Sequence, residues 1–199
     1  MNAVPPGKLR VIVTFLEMNA RPARLNMAPP MDKLALLRAE QPTVSFYRYL
    51  YNTVGEPWLW ADRRRHSDAE LAAILHDPKV EIYVLYVGGV PAGFGELDRR
   101  RDRGVVRLSY FGLIPEFIGS KLGPFLLNQV IDAAWTGNGT GGAGKLTVNT
   151  CTLDHPHALG LYQRFGFVPV RQETRIIDDP RVTGLIASGA APQHPITAP

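Results

Sequence analysis

The chain has 199 residues, 45% hydrophobic and 20% charged, with a formal net charge of +4. That is apolar material for one domain with its own core, and too little basic density for a nucleic-acid face. The single cysteine excludes an internal disulfide, which suits a reducing compartment. No apolar run has the length of a membrane span, and the polar, proline-rich start MNAVPPGK does not read as a signal peptide. The expectation is a cytoplasmic protein that binds neither nucleic acid nor membrane.

In chain order, residues 1–8 read as a flexible tail, 9–178 as one folded domain, and 179–199 as a Pro/Ala/Gly-rich tail, disordered from Ala187 to Pro199. Leu9 to Met18 is rich in β-branched residues and predicts a strand. Arg21 to Pro30 carries three prolines and predicts a loop. Leu34 to Glu40 suggests a short helix. In Val44 to Val54 the residues Phe46, Tyr47, Leu50, Tyr51 and Val54 recur at helical spacing. Ser67 and Glu70 have the spacing of a capping box, opening a helix to Leu75 that Pro78 stops. Glu81–Val87 and Pro91–Asp98 predict strands joined by a tight turn at Gly88-Gly89. Arg99 to Arg103 reads as a solvated hairpin tip, and Val105 to Ile114 as the returning strand, ended by Pro115.

Gly119 and Gly123 follow, then an apolar helix over Pro124 to Trp135. Strand, glycine turn and helix are a layout for holding an anion. Glycine lets the backbone approach closely, and the helix N-terminus offers free N–H groups and partial positive charge. A pyrophosphate is the natural guest. Gly137 to Gly144 with Lys145 nearly spells a P-loop, but Leu146 replaces the metal-ligating hydroxyl and the element order is reversed, so a plain loop is expected. Lys145–Thr150 predicts a strand. Asp154 or His155 is expected to cap the next helix, with Pro156 in its first turn and Gly166 at its end. Phe167–Ile177 predicts the last strand.

The stretch Ile118-Gly119-Ser120-Lys121-Leu122-Gly123 resembles the cofactor-binding motif of the GNAT superfamily, the GCN5-related N-acetyltransferases, which reads Gln/Arg-x-x-Gly-x-Gly/Ala. Ile118 and Lys121 depart from it; Gly119 and Gly123 hold. His155, Ala158, Tyr162 and Gly166-Phe167 resemble the later motif Asn-x-x-Ala-x-x-x-Tyr closed by Gly-Phe, with His155 at the Asn position. The resemblance covers about Val80 to Ile177. It implies a mixed α/β fold with a mostly antiparallel central sheet and a β-α-β-α-β C-terminal half. It also implies acetyl-CoA as cofactor and direct acetyl transfer to a primary amine.

Further roles follow from the resemblance. The backbone of Gly112, Leu113 and Ile114 pairs with the pantetheine arm. N–H groups from Gly119 through Ser120, Lys121, Leu122 and Gly123 face the pyrophosphate, where Lys121 adds charge. Ile118 donates no hydrogen bond, so cofactor binding is expected to be weaker than usual. A backbone N–H near Leu113 polarises the carbonyl. His155 bonds the pantetheine, acts as base, or simply caps a helix.

Tyr162 is the candidate donor to the leaving thiolate. A phenol titrates near about 10 and a thiol near about 8.5, so the hydroxyl stays protonated at neutral pH. Tyr162 also fits an apolar helix face with Ala158, Leu161 and Phe165. Glu96, in mid-strand, is the candidate base, with a water relay as the alternative. His155 and His157 point to different sides of a helix start, so no metal is expected. Cys151 with His155 lacks the third group that a thiol nucleophile needs. Tyr47, Tyr51, Trp58 and Trp60 form either an acceptor pocket, since this region lines the acceptor side in the family, or core packing. The acceptor expected is a small amine with apolar or aromatic character. A peptide or protein amine, another acyl group, and a non-catalytic CoA-sensing module stand as alternatives. A homodimer is compatible with the family.

Overall fold

The structure is a computed structural model, and it describes residues 4–21, 27–137 and 142–196. Much of the proline-rich loop and of the glycine loop before Lys145 therefore lies outside the described residues. The elements are β1 (Lys8–Met18), β2 (Leu34–Arg38), α1 (Val44–Gly55), α2 (Asp68–Leu75), β3 (Val80–Val87), β4 (Val90–Asp98), β5 (Val105–Leu113), α3 (Leu122–Thr136), β6 (Lys145–Cys151), α4 (Ala158–Arg164) and β7 (Val168–Asp178). They form the mixed α/β architecture expected, around a seven-stranded sheet of order β2-β3-β4-β5-β6-β1-β7. Among the described residues, only the β5–β6 pair is parallel.

The sheet is covered on both faces. α3 and Tyr162 of α4 bury Leu85, Leu97, Leu108, Leu146 and Val148 on one side. On the other, α1 and α2 bury Ile82, Val84 and Phe94 with Tyr47, Leu50, Tyr51 and Leu71. Strand alternation divides each strand between the two layers. Local signals hold where they carry a mechanism. Ser67 and Glu70 make the reciprocal capping box, and Gly88 and Gly89 both take positive φ in the β3–β4 turn.

Three readings are corrected. Leu34 to Arg38 is a strand, not a helix, with an alternating burial pattern, and it pairs antiparallel with β3. Five residues of fair helix propensity yield to an open sheet edge. The basic stretch is not all solvated tip. The Arg99 side chain is buried against the fully buried Glu81 at 2.9 Å and donates to the carbonyls of Ala133 and Ala134, where α3 ends. Arg100 pairs with Asp98 at 2.7 Å. Finally, residues 179–196 do not trail away. Ile186 and Ala191 pack against Leu9, Val11, Val13, Leu59 and Leu153. Arg181, buried beside Asp179, donates to the carbonyls of Ala190, Ala191 and His194.

Candidate active site

The site begins with one extra residue. In the β4–β5 ladder Glu96 faces Tyr110 but Leu97 faces Leu108, so Ser109 is a bulge. A bulge re-aims side chains and disrupts pairing. Leu108 accordingly joins the α3 layer while Tyr110 joins the α1 layer. The parallel β5–β6 ladder also stops at Leu108↔Val148, although β5 runs on to Leu113 and β6 to Cys151. The two strands part there, and a cleft of about 560 Å³ opens between them. Leu108–Leu113, Val148, Asn149 and Cys151 line it, with residues from both sheet faces at its two ends.

The parted edge leaves backbone groups free. Ile114 N–H donates to Ala92 C=O at 2.9 Å, so Ile114 has no N–H for a pantetheine arm, and its side chain belongs to the core. Antiparallel ladders alternate. Carried down the register from that bond, the alternation turns Gly112 toward Phe94 of β4 and the N–H and C=O groups of Leu113 and Phe111 toward the cleft. Gly112 has a separate reason to be glycine: a Cβ there would lie 2.5 Å from Val54 Cγ1.

On the α3 side the cleft meets the glycine turn. Gly119, Lys121 and Gly123 line it, whereas Ser120 and Leu122 do not. The Ser120 hydroxyl bonds back to Phe117 C=O, and the Leu122 side chain is buried. Lys121 is the N-cap of α3 in a left-handed conformation (φ 62°), with no side-chain cap. The first N–H groups of the helix, at Leu122 and Gly123, have no intrahelical acceptor. Arg164 adds a second exposed cation to this end. Free N–H groups, the helix dipole and Lys121 make a pyrophosphate cradle, so these residues fit the anionic cofactor that the sequence suggests.

Tyr162 stands between the two ends. Its ring packs edge-on to Phe111 at 6.2 Å and Phe167 at 5.8 Å, which makes it core and cleft wall together. Its hydroxyl takes no partner among the described residues and lies along the cleft. Burial, then the charge of Asp154, pushes the phenol well above its ordinary range. It remains a donor.

His155 lines the cleft beside Trp58, edge-on at 5.2 Å. Its Nδ1 accepts from His157 N–H at 3.1 Å, which leaves Nε2 as the donor of the neutral ring. Burial, then His157, lowers its pKa, favouring that form. Neither Asp154 nor His155 caps α4, whose N-cap is His157. The Asp154 carboxylate instead accepts from Thr150 Oγ1 and Cys151 N–H, both at 2.8 Å, and from Trp60 Nε1 at 3.4 Å. The Cys151 thiol is pushed up to about 11 by burial and then by Asp154, so it is no nucleophile at neutral pH. Among the described residues, no group of three or more His, Cys, Asp or Glu is placed to hold a metal ion.

The opposite end is the aromatic chamber. Tyr51, Trp58 and Trp60 line it with Tyr110. Trp60 lies 5.5 Å from Tyr51 and 5.3 Å from Tyr110. Tyr47 is not in the chamber: it is fully buried and its hydroxyl donates to Glu96 at 2.5 Å. Arg63 holds the other Glu96 oxygen at 2.6 Å. Glu96 is itself fully buried and lines no part of the cleft. Its place as the base is therefore revised, because both oxygens are engaged and no approach is open to an amine. It anchors Arg63, which lies over the Tyr110 ring at 5.2 Å. Sequence reasoning passed over Arg63, Asp62, Tyr110, Arg107 and Asn149. The acid–arginine–tyrosine alignment links α1, β4 and the turn after Trp60, and no spacing records it.

The model of the acetyltransferase (GNAT) family matches residues 45–167. No curated protein matches the chain in sequence. A putative GNAT-family acetyltransferase from Novosphingobium aromaticivorans shares the fold at TM-score 0.53 and 19% identity, over 87% of this chain and 67% of its own. A GCN5-related N-acetyltransferase from Kribbella flavida does so at TM-score 0.54 and 15% identity, over 89% of this chain. This chain spans 63% of the Kribbella protein's length. AAC(6')-Iy in complex with the bisubstrate analogue CoA-S-monomethyl-acetylneamine matches at TM-score 0.52 and 19% identity, over 70% of this chain and 94% of its own. With its family match spanning more than half the sequence, this chain belongs to the acetyltransferase (GNAT) family.

Proposed function

We propose that this protein transfers an acetyl group from acetyl-CoA to the primary amine of a small, apolar or aromatic acceptor. The observation that carries the reading is the through-sheet cleft opened at Ser109. An anion cradle and the Tyr162 hydroxyl lie on its α3 side, and an aromatic chamber on the other. Acetyl-CoA, when bound, supplies the thioester. The N–H groups at Leu122 and Gly123 and the Lys121 ammonium hold the phosphates. The N–H of Leu113 or Phe111 donates to the thioester carbonyl, and fixed donors at that position stabilise the charge that grows there. Tyr162 donates a hydrogen bond to the departing sulfur. Its raised pKa keeps it protonated across the working pH range.

The acceptor amine enters past Tyr51, Trp60 and Tyr110, where the rings exclude water. With Glu96 sealed in its ion pair, Asp178 paired with Lys8, and Asp154 accepting from Thr150, Cys151 and Trp60, Asp62 is the cleft carboxylate whose oxygens are left without a partner among the described residues. It takes the amine's proton directly or through water. The open cleft speaks for catalysis over a CoA-sensing role, and the AAC(6')-Iy complex offers a precedent for an amine acceptor on this fold.

Tyr162→Phe tests the reading. CoA release with an amine panel is expected to fall by roughly a hundredfold to a thousandfold in kcat, the range for one lost transition-state donor, while calorimetric acetyl-CoA affinity stays near wild type. Equal kcat in the variant would remove Tyr162 from the chemistry. No acetyl-CoA binding by the wild type would remove the transferase reading itself.

A further inference from the structure

The floor of the aromatic chamber carries a guanidinium with no acid. Arg107 is half-buried and lines the cleft one residue before the strands part. Val106 and Leu108 face α3, so alternation points Arg107 to the chamber side. Both carboxylates placed to neutralise it along the sheet are taken. Asp98, its cross-strand partner, is held by Arg100 at 2.7 and 3.0 Å. Glu17 lies beyond Thr147 on the same row and pairs with Lys145 at 2.7 Å.

Arg107 donates from Nη2 to Asn149 Oδ1 at 2.7 Å, a neutral acceptor. Burial, and then repulsion from Arg101, lowers its pKa, outweighing the opposing charges of Asp98 and Asp62. Arg65 lines the same end and also forms no ion pair among the described residues. Of the cleft's carboxylates, Asp178 pairs with Lys8 at 2.5 Å, Asp154 accepts from Thr150, Cys151 and Trp60, and neither Asp62 nor Asp154 forms an ion pair with Arg107.

A partly desolvated guanidinium left without an acid is costly in isolation, and its rigid fork matches a carboxylate. We propose that the acceptor is an amine-bearing carboxylic acid, an amino-acid-like zwitterion, and that Arg107, oriented by Asn149, binds its carboxylate. The carboxylate docks at the chamber floor, the apolar side chain lies among Tyr51, Trp58 and Trp60, and the amine faces Asp62 and the cleft. This inference rests on the acetyl-transfer reading above and names its substrate class.

The test uses matched acceptors that differ only in the carboxylate: L-phenylalanine against phenethylamine, and L-leucine against isoamylamine. The wild type is expected to prefer the acid by roughly tenfold to a hundredfold in kcat/KM, the range for charge-assisted hydrogen bonds. Arg107→Met is expected to bring the ratio near one. Asn149→Asp keeps Arg107 but gives it a carboxylate of its own, and it should abolish the preference in a protein of wild-type fold. Equal rates for both members of each pair in the wild type overturn the proposal, as does a preference that survives in both variants. A protein that binds acetyl-CoA but turns over no amine is tested by calorimetry in CoA. Tighter binding of N-acetyl-L-phenylalanine than of N-acetylphenethylamine then supports the site, and equal binding overturns it. Failure to bind acetyl-CoA at all overturns the acetyl-transfer reading instead.

Discussion

Lys121 shows how one departure from a family pattern acquires a physical meaning. The left-handed backbone it adopts (φ 62°) disfavours any side chain with a Cβ, by about 1–2 kcal/mol. The charge stays on the cleft at that cost. Lys121→Gly should therefore stabilise the fold by roughly 0.5–1 kcal/mol after glycine's own entropy is counted. It should also weaken CoA binding by about fivefold at low salt, a loss that shrinks as salt screens the phosphates. Thermal melts and calorimetry at two ionic strengths check both halves. A lower melting temperature with unchanged affinity would mean that the residue is neither strained nor in contact with phosphate. Gly119 was legible as a turn because that turn demands its positive φ of 89°, and Tyr162 was legible as part of an apolar helix face. Glu96 was misread because its partners, Tyr47 and Arg63, lie 49 and 33 residues away in sequence. A buried carboxylate in mid-strand was visible; what it was paired with was not.

Among the elements, β5 carries the site, and its placement depends on close approach. α1 packs so near that a Cβ on Gly112 would lie 2.5 Å from Val54 Cγ1, and a β-branched side chain in a helix has one strongly preferred rotamer. Gly112→Ala is thus expected to cost about 1–3 kcal/mol by overpacking, read from urea unfolding. The companion variant Gly112→Ala, Val54→Ala should recover part of it, and an additive pair would show that the contact is not the cause. Strand and helix periodicity revealed β5 and α1 as objects. The bulge at Ser109 was hidden, because a single inserted residue leaves composition and turn signals unchanged while it exchanges the faces of everything after it. β2 was hidden for another reason: a short, leucine-rich run becomes a strand only because β3 offers an edge.

Across the whole molecule, the end of β7 and the segment after it form a wall of the chamber. Ile177, Asp178 and Pro180 line the cleft, Gln193 donates to Pro57 C=O at 2.6 Å, and the His194 ring meets Leu153 C=O at 3.2 Å. These contacts fix the loop that bears Trp58 and Trp60. The clasp is the Asp179–Arg181 pair at 2.7 Å, with side chains 0% and 2% exposed. Arg181→Ala leaves a buried carboxylate alone and is expected to cost about 3–5 kcal/mol. The double replacement Asp179→Asn, Arg181→Met should restore much of that. In the single variant KM for the acceptor should rise more than KM for acetyl-CoA, whose proposed phosphate cradle lies on the other sheet face. A parallel rise in both would show a general loss of fold. Low-complexity composition masked all this, because the anchors are one ion pair and two apolar residues among Pro, Ala and Gly.

The sheet order has a consequence for how the protein comes into being. Among the described residues β1 pairs with β6 and β7 alone, so this strand is translated long before either of its neighbours. About 130 residues separate Met18 from Lys145, which at roughly 5–20 residues per second is a wait of about 6 to 26 seconds on the ribosome. Until then LRVIVTFLEM is an apolar strand with two open edges, the kind of segment that recruits other chains. Expression at lower temperature, or with a holdase chaperone present, is where this fold gains most.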